Sequence, residues 1–157
     1  MSVFDGVDRR ILRALDKDAR MPASSVAQHT RLARGTVQSR LDRMGEMGAL
    51  REHSVRVPLD ALGLPVRATV AIEVDALLFD ETVTALRKLP QVIECVGISG
   101  RDDLLCIIAA RDTEDVHAVS TAIQLCPGVR RSATSVILKE FIPYRVAQLM
   151  ELPPAHQ

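Results

Sequence analysis

The spacing of apolar residues along the chain changes near residue 66. This change indicates two domains with different secondary structure. In the front part, apolar residues recur every three or four positions, which is the period of amphipathic helices. From Val66 to Val74 they recur at every second position, which is typical of a half-buried strand. Pro58, Gly63 and Pro65 interrupt both patterns. The sequence therefore predicts a helical front domain, a linker and a sheet-containing back domain.

Helical periodicity predicts three helices in the front part. Arg31 to Arg34 lead from the second helix into the third, which is the connection length of a helix-turn-helix. The third helix has an apolar stripe on one side and hydrogen-bonding residues on the other. The predicted helices run from about Asp5 to Leu15 or Asp18, from Pro22 to about Thr30, and from Arg34 to Gly48.

Helical position predicts which side chains of these helices are buried and which face solvent. In the first helix, Ile11 and Leu15 are predicted to be buried, whereas Asp8 is predicted to face solvent. In the third helix, Arg40 lies close to the apolar stripe, and the residues alone leave two roles for it. It contacts DNA phosphate, or it forms an internal ion pair with Asp8.

Charge is distributed unevenly along a chain whose formal net charge is zero. Residues 1–57 contain eleven Lys and Arg against seven Asp and Glu, whereas residues 58–157 contain nine against thirteen. A basic front half joined to an acidic back half fits a module that binds a polyanion, carried on a second module. Only 3% of the residues are aromatic, so recognition of single strands by base stacking is not expected.

The back part predicts the order strand, helix, strand, strand, helix, strand, which is the split βαβ arrangement of ferredoxin-like domains. The apolar run LLCIIAA is predicted to be a central or interface strand. Phe79, Val83, Leu86 and Leu89 are predicted to face the core. The predicted elements are residues 66–74, about 80–89, 92–99, 104–110, 112 or 113 to 125, and 129–141.

Metal and catalytic sites are not predicted. The three cysteines, Cys95, Cys106 and Cys126, lack the short spacing of zinc ligands and are interpreted as buried free thiols. The sequence offers no Ser/His/Asp set, Gly-rich phosphate loop or paired-carboxylate site, so we predict a protein that is not an enzyme and needs no cofactor. No apolar run approaches the roughly 20 residues of a membrane span, and the start lacks the apolar segment of a signal peptide, so a cytoplasmic location is predicted.

With both parts placed, the chain resembles the Lrp/AsnC family of bacterial and archaeal transcription factors, the leucine-responsive and asparagine-responsive regulators. The resemblance covers about Phe4 to Tyr144. In the back half it rests on VIECVGISG followed by Asp103, Leu104 and Leu105, then Pro127, Gly128, Val129, and then Thr134, Ser135, Val136. In the front half it rests on Asp8, Ile11, Leu12, Leu15, Arg20, Val26, Ala27, Leu32, Val37, Arg40, Leu41, Met44, Gly48 and Leu50.

The resemblance implies an α+β protein with an N-terminal winged helix-turn-helix domain and a C-terminal ferredoxin-like βαββαβ domain that senses an effector and oligomerises. It implies dimers that commonly assemble into octamers, with small effectors, often amino acids, bound between dimers. The domains are predicted as residues 1–57 for the helix-turn-helix with a linking strand, 58–65 for a linker, 66–142 for the ferredoxin-like domain and 143–157 for a tail. The implied effector-binding residues are Gly100, Arg101, Asp102, Asp103, Ser132, Thr134 and Ser135.

Double-stranded DNA is the predicted partner of the third helix, which would enter the major groove. Gln38 is the best candidate for reading adenine. Arg34, Arg40 and Arg43 would mainly hold phosphates, so Arg43→Ala is expected to weaken binding to all sequences alike and to flatten the salt dependence. Nearest the base edges we place Gly35, Thr36, Gln38 and Ser39.

The chain departs from the family pattern at three places. Arg31 stands where the turn usually has Gly, and Ala33 stands where a capping Ser is usual, which costs the helix about 1 kcal/mol. In the loop that starts at Gly100, the family often has Gly, Asp, an aromatic residue and Asp, whereas here Arg101 replaces the first acid and Asp102 the aromatic residue. The identity of the effector is therefore not carried over.

Two other functions remain open from the sequence. Relatives with this architecture serve as subunits of a decarboxylase that acts on a tetrapyrrole precursor of haem, and a histidine and an aromatic-rich strand would then be expected near the hairpin. Residues 93–110 contain no His, Tyr, Phe or Trp. The second is an accessory protein that binds a ligand or oligomerises and binds DNA only weakly. The departures from the family pattern at Arg31 and Ala33 leave this function open.

Overall fold

The computed structural model describes residues 4–50 and 57–151, and these form two compact units. The front unit contains the residues up to Val55 together with those from Ile142 onward, and the back unit runs from Arg56 to Phe141. The predicted wing and linking strand fall largely on residues 51–56, which lie outside the described residues. No helix within the described ranges is long and apolar enough to cross a membrane.

The front unit is built from three helices whose apolar faces meet. They are α1 (Gly6–Lys17), α2 (Ala23–Thr30) and α3 (Arg34–Glu46). Each lies within about two residues of its prediction, because capping and breaking residues mark the ends. The helices share a core of Ile11, Ala14, Val26, Ala27, Val37 and Met44.

The start of α1 is held by a reciprocal capping box. The Asp5 side chain accepts hydrogen bonds from the backbone N–H groups of Val7 and Asp8 at 2.8 and 2.9 Å. In return, the backbone N–H of Asp5 donates to the Asp8 carboxylate at 3.0 Å. The prediction that Asp8 faces solvent is wrong: its side chain is fully buried. Asp8 was predicted to be exposed because carboxylates are rarely buried without a partner. Here cationic partners allow the carboxylate to be buried.

The turn between α2 and α3 passes through a left-handed backbone conformation, which glycine adopts most readily. Arg31 ends α2 in the left-handed region at φ 53° and ψ 44°. The Thr30 side chain stabilises the C-terminal end of α2, because its buried hydroxyl donates a hydrogen bond to the carbonyl of Val26 at 2.6 Å. The turn therefore keeps its geometry, although an arginine in this conformation is strained by about 1–2 kcal/mol.

The C-terminal segment packs against α1 within the front unit. A short 3₁₀ helix, Ala147–Glu151, lies within the predicted tail. Arg9 donates to the carbonyl of Met150 at 3.3 Å, and Arg13 forms an ion pair with Glu151 at 3.7 Å. The predicted tail is thus fastened by contacts with the outer side of α1.

The back unit is a four-stranded antiparallel sheet with two helices. Its strands are β1 (Val66–Val74), β2 (Val92–Gly97), β3 (Leu104–Ala110) and β4 (Val129–Val136), and its helices are α4 (Phe79–Leu86) and α5 (Thr113–Gln124). The strand order is β2-β3-β1-β4. This is the ferredoxin-like order, so the predicted α+β fold is confirmed, and LLCIIAA is an interior strand.

One face of this sheet packs against the helices and forms the core. The other face, which we call the open face, carries the strand residues that alternate with the core residues. Val70, Ile72, Cys106 and Ile108 are fully buried with Val116, Val119 and Ile123 of α5 close by. The strand neighbours that alternate with them, including Thr69, Leu105 and Ile107, are only partly buried or exposed. The alternation predicted for β1 is therefore observed.

Three predictions for the back unit need correction. Phe79 is 39% exposed, because Thr82 takes the inner position of α4 and its hydroxyl lies within hydrogen-bond distance of the carbonyls of Leu78 and Pro127. The last strand ends at Val136 and not at residue 141, since its partner β1 begins only at Val66, after a proline. Cys106 is buried as predicted and Cys126 is partly buried, but Cys95 is exposed on the edge strand β2.

Gly128 allows the chain to turn tightly before β4. Its φ of 80° lies in the left-handed region. A Cβ at this position would lie 2.5 Å from the Thr82 hydroxyl and 2.7 Å from the Leu78 Cβ. Only a residue without a side chain fits between α4 and the start of β4.

Candidate DNA-binding surface and effector site

The exposed side of α3 carries the residues predicted to face base edges. Val37 and Met44 anchor the helix in the core of the front unit, with no exposed surface. The helix therefore presents its opposite side, and in the first two turns the exposed residues there are Arg34, Gly35, Thr36, Gln38 and Ser39. This is a short polar strip with one cation at its beginning.

The first three backbone N–H groups of α3 have no hydrogen-bond partner among residues 4–50 and 57–151. Ala33 occupies the capping position and has no side chain that can accept a hydrogen bond. The first helical bond joins the N–H of Val37 to the carbonyl of Ala33 at 3.1 Å, so the preceding three N–H groups have no partner within the helix. Backbone donors at a helix N-terminus attract anions such as phosphate.

Buried Asp8 holds two arginines of α3. Its carboxylate oxygens accept hydrogen bonds from Arg40 at 3.1 Å and from Arg43 at 2.5 Å. Arg40 also reaches Asp5 at 2.5 Å. Of the two roles left open for Arg40, the structure contains the internal ion pair. Arg43, predicted as a phosphate contact, is bound to the same carboxylate, although its side chain is 42% exposed.

The electrostatics of this cluster favour its ionised form. The backbone N–H of Asp8 and the guanidinium of Arg40 lower the pKa of Asp5 to about 2. Hydrogen bonds to the carboxylate of Asp5 and, second, to that of Asp8 raise the pKa of Arg40. Asp5 and Arg40 are therefore both charged at neutral pH, and their ion pair ties the start of α1 to the middle of α3.

Gln38 is oriented by a neighbour one turn along α3. Its amide nitrogen donates to the Asp42 carboxylate at 2.8 Å. An amide nitrogen carries two hydrogens, and the amide oxygen accepts separately, so one donor and one acceptor remain for another partner. That is the pair of groups needed to bind the N7 and N6 edge of adenine.

The hairpin loop of the back unit is fastened to β1 by Asp103. Its backbone N–H donates to the carbonyl of Ile72 at 2.9 Å, and its carboxylate accepts from the N–H of Val74 at 2.8 Å. Gly100 at the tip has a φ of 125°, which favours glycine. Asp103 thus shapes the loop, and its carboxylate is already occupied.

Arg131 of β4 joins this loop to β1, and it is a site residue that was not predicted from the sequence. Its guanidinium contacts Asp102 at 3.2 Å and Glu73 at 3.5 Å. Glu73 is its direct partner across the β1–β4 ladder. The strand register that creates this cluster depends on long-range pairing, so only the alternation within β4 could have indicated the side on which Arg131 lies.

The three predicted effector residues of β4 lie on both faces of the sheet. Ser132 donates to Gln124 at 2.6 Å and Thr134 donates to Ser120 at 2.9 Å, so both face α5. Ser135 lies opposite Thr69 in the ladder and belongs to the open face. Successive strand residues point to opposite faces, and these three therefore do not form one cluster. Arg101, in contrast, is exposed and forms no ion pair with any residue in 4–50 or 57–151.

Comparison with known proteins decides the family. The AsnC-type helix-turn-helix domain matches residues 4–44, and the Lrp/AsnC ligand binding domain matches residues 67–147. The chain belongs to the Lrp/AsnC family. Like other Lrp/AsnC members, it combines a DNA-binding helix-turn-helix with a ligand-binding domain in a transcriptional regulator.

Curated Lrp/AsnC relatives extend over most of the chain. The HTH-type transcriptional regulator FL11 of Pyrococcus abyssi is 30% identical over 136 residues, which is 87% of this chain and 90% of that protein. The HTH-type transcriptional regulator AldR of Mycolicibacterium smegmatis is 34% identical over 117 residues, which is 73% of this chain and 68% of that protein.

Solved Lrp/AsnC structures share the fold. AsnC of Escherichia coli superposes with a TM-score of 0.83 at 22% identity, over 93% of this chain and 99% of that one. A transcriptional regulator of Neisseria meningitidis, solved as a complex with L-Met, superposes with a TM-score of 0.80 at 20% identity, over 94% of this chain and 99% of that one.

Proposed function

We propose that this Lrp/AsnC protein binds specific double-stranded DNA sequences through the exposed side of α3 and that a small effector, an amino acid or a related metabolite, alters this binding. The observation that carries the proposal is the division of α3 into a buried apolar side and an exposed polar strip with unpaired N–H groups at its start. As a regulator of transcription, the protein would act in the cytoplasm of a prokaryotic cell. We assign it no catalytic role.

The predicted DNA-binding residues divide into two groups. Arg34, Gly35, Thr36, Gln38 and Ser39 are exposed and would contact DNA. Arg40 and Arg43 are held by Asp8, and we assign them a positioning role: they fix how α3 is rotated about its axis. A recognition helix must be held rigidly if three or four side chains are to reach base edges.

Base reading falls to the middle of the exposed strip. Asp42 keeps the Gln38 amide in one orientation, which reduces the entropy lost when that amide binds adenine. Arg34 and the free N–H groups of the first turn would hold a phosphate, which sets register and affinity and carries no sequence information.

The salt dependence of DNA binding distinguishes the two groups. With a duplex of random sequence as the probe, we expect Arg34→Ala to flatten the slope of log K against log salt by about one unit, because one phosphate contact is lost. Arg43→Ala is expected to leave that slope unchanged and to lower the thermal stability of the front unit. If Arg43→Ala flattens the salt-dependence slope as much as Arg34→Ala does, Arg43 contacts a phosphate and the positioning role is wrong.

For the effector, we propose that Arg101 binds a carboxylate group of the ligand. Arg101 is an exposed cation at the loop tip, whereas the neighbouring Asp102 and Asp103 are already bound to Arg131 and to the backbone of β1. Ser132 and Thr134 face α5, whereas Ser135 lies on the open face, so one small ligand does not contact all three, and we assign the carboxylate contact to Arg101 alone. A carboxylate ligand fits amino acids, the class that the family resemblance implies.

A thermal-shift screen of the twenty amino acids tests this assignment. L-Met, the ligand of the Neisseria protein, belongs in the set. A ligand present at about 100 times its dissociation constant stabilises the folded protein by about 2.7 kcal/mol. Arg101→Gln should remove the shift without changing the melting temperature of the ligand-free protein. A shift that survives in Arg101→Gln would place the ligand elsewhere.

Self-association is proposed through the open face of the sheet, leading to dimers and then octamers. Leu105 and Ile107 place apolar surface on this face, which α4 and α5 leave uncovered. Two recognition helices in a dimer would bind half-sites about one DNA turn apart, and a ligand that alters dimer packing would change which sites are bridged. Light scattering of the purified protein measures the assembly, and a monomer at micromolar concentration would contradict it.

A further inference from the structure

Two of the three cysteines face each other across neighbouring strands. Cys95 of β2 is the direct ladder partner of Cys106 in β3. Cys106 lies fully buried on the helix-covered side of the sheet, between Leu104 and Ile108, which point the same way. Paired residues in an antiparallel ladder project to the same face, so both thiols lie on that side.

The backbone pairing places these cysteines at a separation suited to a disulfide. The N–H of Ile98 donates to the carbonyl of Asp103 at 2.9 Å, and the N–H of Ala109 donates to the carbonyl of Gln91 at 2.9 Å. Hydrogen-bonded and non-hydrogen-bonded pairs alternate along the ladder. The register shifts only beyond Cys95, between Val92 and Glu94, and is unbroken from Ile98–Asp103 to Cys95–Cys106, so the Ile98–Asp103 bond makes the cysteines a non-hydrogen-bonded pair. Such pairs have Cα atoms about 4.5 Å apart, within the range of about 4.4–6.8 Å that disulfides span.

The two thiols differ in access. Cys95 is exposed and lines a cavity of about 380 Å³ together with Phe79, Ile93 and Arg87. Burial, together with a hydrogen bond to Cys95, raises the pKa of the Cys106 thiol to about 12. An oxidant therefore reaches Cys95 first, and Cys106 is placed to react with the product.

We propose that Cys95 and Cys106 are a redox-modifiable dithiol that a small hydroperoxide converts into a cross-strand disulfide. With hydrogen peroxide as the oxidant, the Cys95 sulfur attacks one peroxide oxygen, the O–O bond breaks, and the thiol proton leaves with the displaced hydroxide as water, so that Cys95 sulfenic acid remains. The Cys106 sulfur then attacks the Cys95 sulfur, the S–O bond breaks, the S–S bond forms and a second water leaves. The two thiols give up two electrons, and the peroxide takes them.

Cys126 provides the internal control. It lies at the C-terminal end of α5, where its thiol contacts the carbonyl of Ala122 at 3.4 Å. It has no partner in the β2–β3 ladder. Cys126 is therefore expected to stay reduced when the other two cysteines are oxidised.

Thiol counting on the full-length protein tests the proposal. The reduced protein is treated with hydrogen peroxide, denatured, labelled with N-ethylmaleimide and digested with trypsin. Cleavage after Arg101 separates the peptides that hold Cys95 and Cys106, so their linkage is directly visible by mass. We expect the label count to fall from three to one, the protein to lose about 2 Da, and a linked pair of peptides 89–101 and 102–111 to appear.

Three variants give the controls. Cys126→Ser should form the same linked pair, and Cys95→Ser should leave Cys106 labelled after peroxide. Cys106→Ser should accumulate sulfenic acid on Cys95, which dimedone traps. The proposal is overturned if wild-type Cys106 keeps its label while Cys95 is oxidised to sulfinic acid, if the oxidised product links Cys95 of two chains, or if no thiol reacts. None of these readouts depends on DNA or effector binding.

Discussion

The buried carboxylate of Asp8 is the contact on which the placement of α3 depends most. It accepts hydrogen bonds from Arg40, from Arg43 and from the backbone of Asp5, at 3.1, 2.5 and 3.0 Å. Asp8→Asn keeps the size of the side chain but removes the charge. Breaking a buried ion pair by removing one partner costs about 3–5 kcal/mol. Both arginines remain partly exposed, so we expect the lower end, about 3 kcal/mol.

A loss of this size is large for a small helical unit. In a domain of 60–100 residues, each 1 kcal/mol shifts the melting temperature by about 4–8 °C, so the front unit of Asp8→Asn should melt at least about 12 °C lower. Thermal unfolding followed by circular dichroism of the helices measures this shift. Asp16→Asn on the exposed side of α1 is the matched control and should change stability by less than about 0.5 kcal/mol. If the two variants melt together, the carboxylate does not hold α3.

Two further predictions concern pH and the turn before β4. The pKa of Asp5 falls from 3.8 to about 2 in the folded protein, so its stabilising contribution is present above about pH 4 and is lost as the pH falls through 2. Asp5→Asn, which still caps α1, should therefore show a smaller loss of melting temperature between about pH 4 and pH 2 than the wild type, and equal losses would contradict this. Gly128→Ala should destabilise the back unit by at least about 2 kcal/mol, because its Cβ would overlap Thr82 and Leu78 at a positive φ. Gly45→Ala, in an open position on α3, should instead stabilise the front unit by up to about 1 kcal/mol in denaturant titrations, and a similar effect of both variants would refute the steric argument.

Local signals were sufficient for most of the fold. Asp5, Pro22 and Gly48 mark helix ends through backbone chemistry that depends only on near neighbours, and the alternation in β1 follows from the pleat. The errors arose where a distant residue decides. Asp8 is buried because two arginines about 35 positions away neutralise it, and β4 ends early because its partner strand begins after Pro65.

The candidate sites were less predictable than the fold. Helical position identified the exposed strip of α3, but Arg43 was placed there without knowledge of its contact with Asp8. In the back unit, the family resemblance implied both Ser132 and Ser135 as effector contacts, although their difference of three positions puts them on opposite faces of a strand. Arg131 forms ion pairs with Glu73 and Asp102, which the pairing of the strands brings next to it. Both partners are far from it in sequence, so this cluster could not be predicted from local signals.

The most direct test of the central claim is selection of binding sites from a random duplex library by the purified full-length protein, followed by sequencing. The proposed function predicts an enriched motif with two half-sites whose centres lie about one helical turn, or a multiple of it, apart. It also predicts that Gln38→Ala loses the preference for adenine at one position in each half-site and keeps the others, because one base contact is removed. A library that shows no enriched sequence would contradict sequence-specific recognition by α3. Unchanged preferences in Gln38→Ala would show that Gln38 does not read a base.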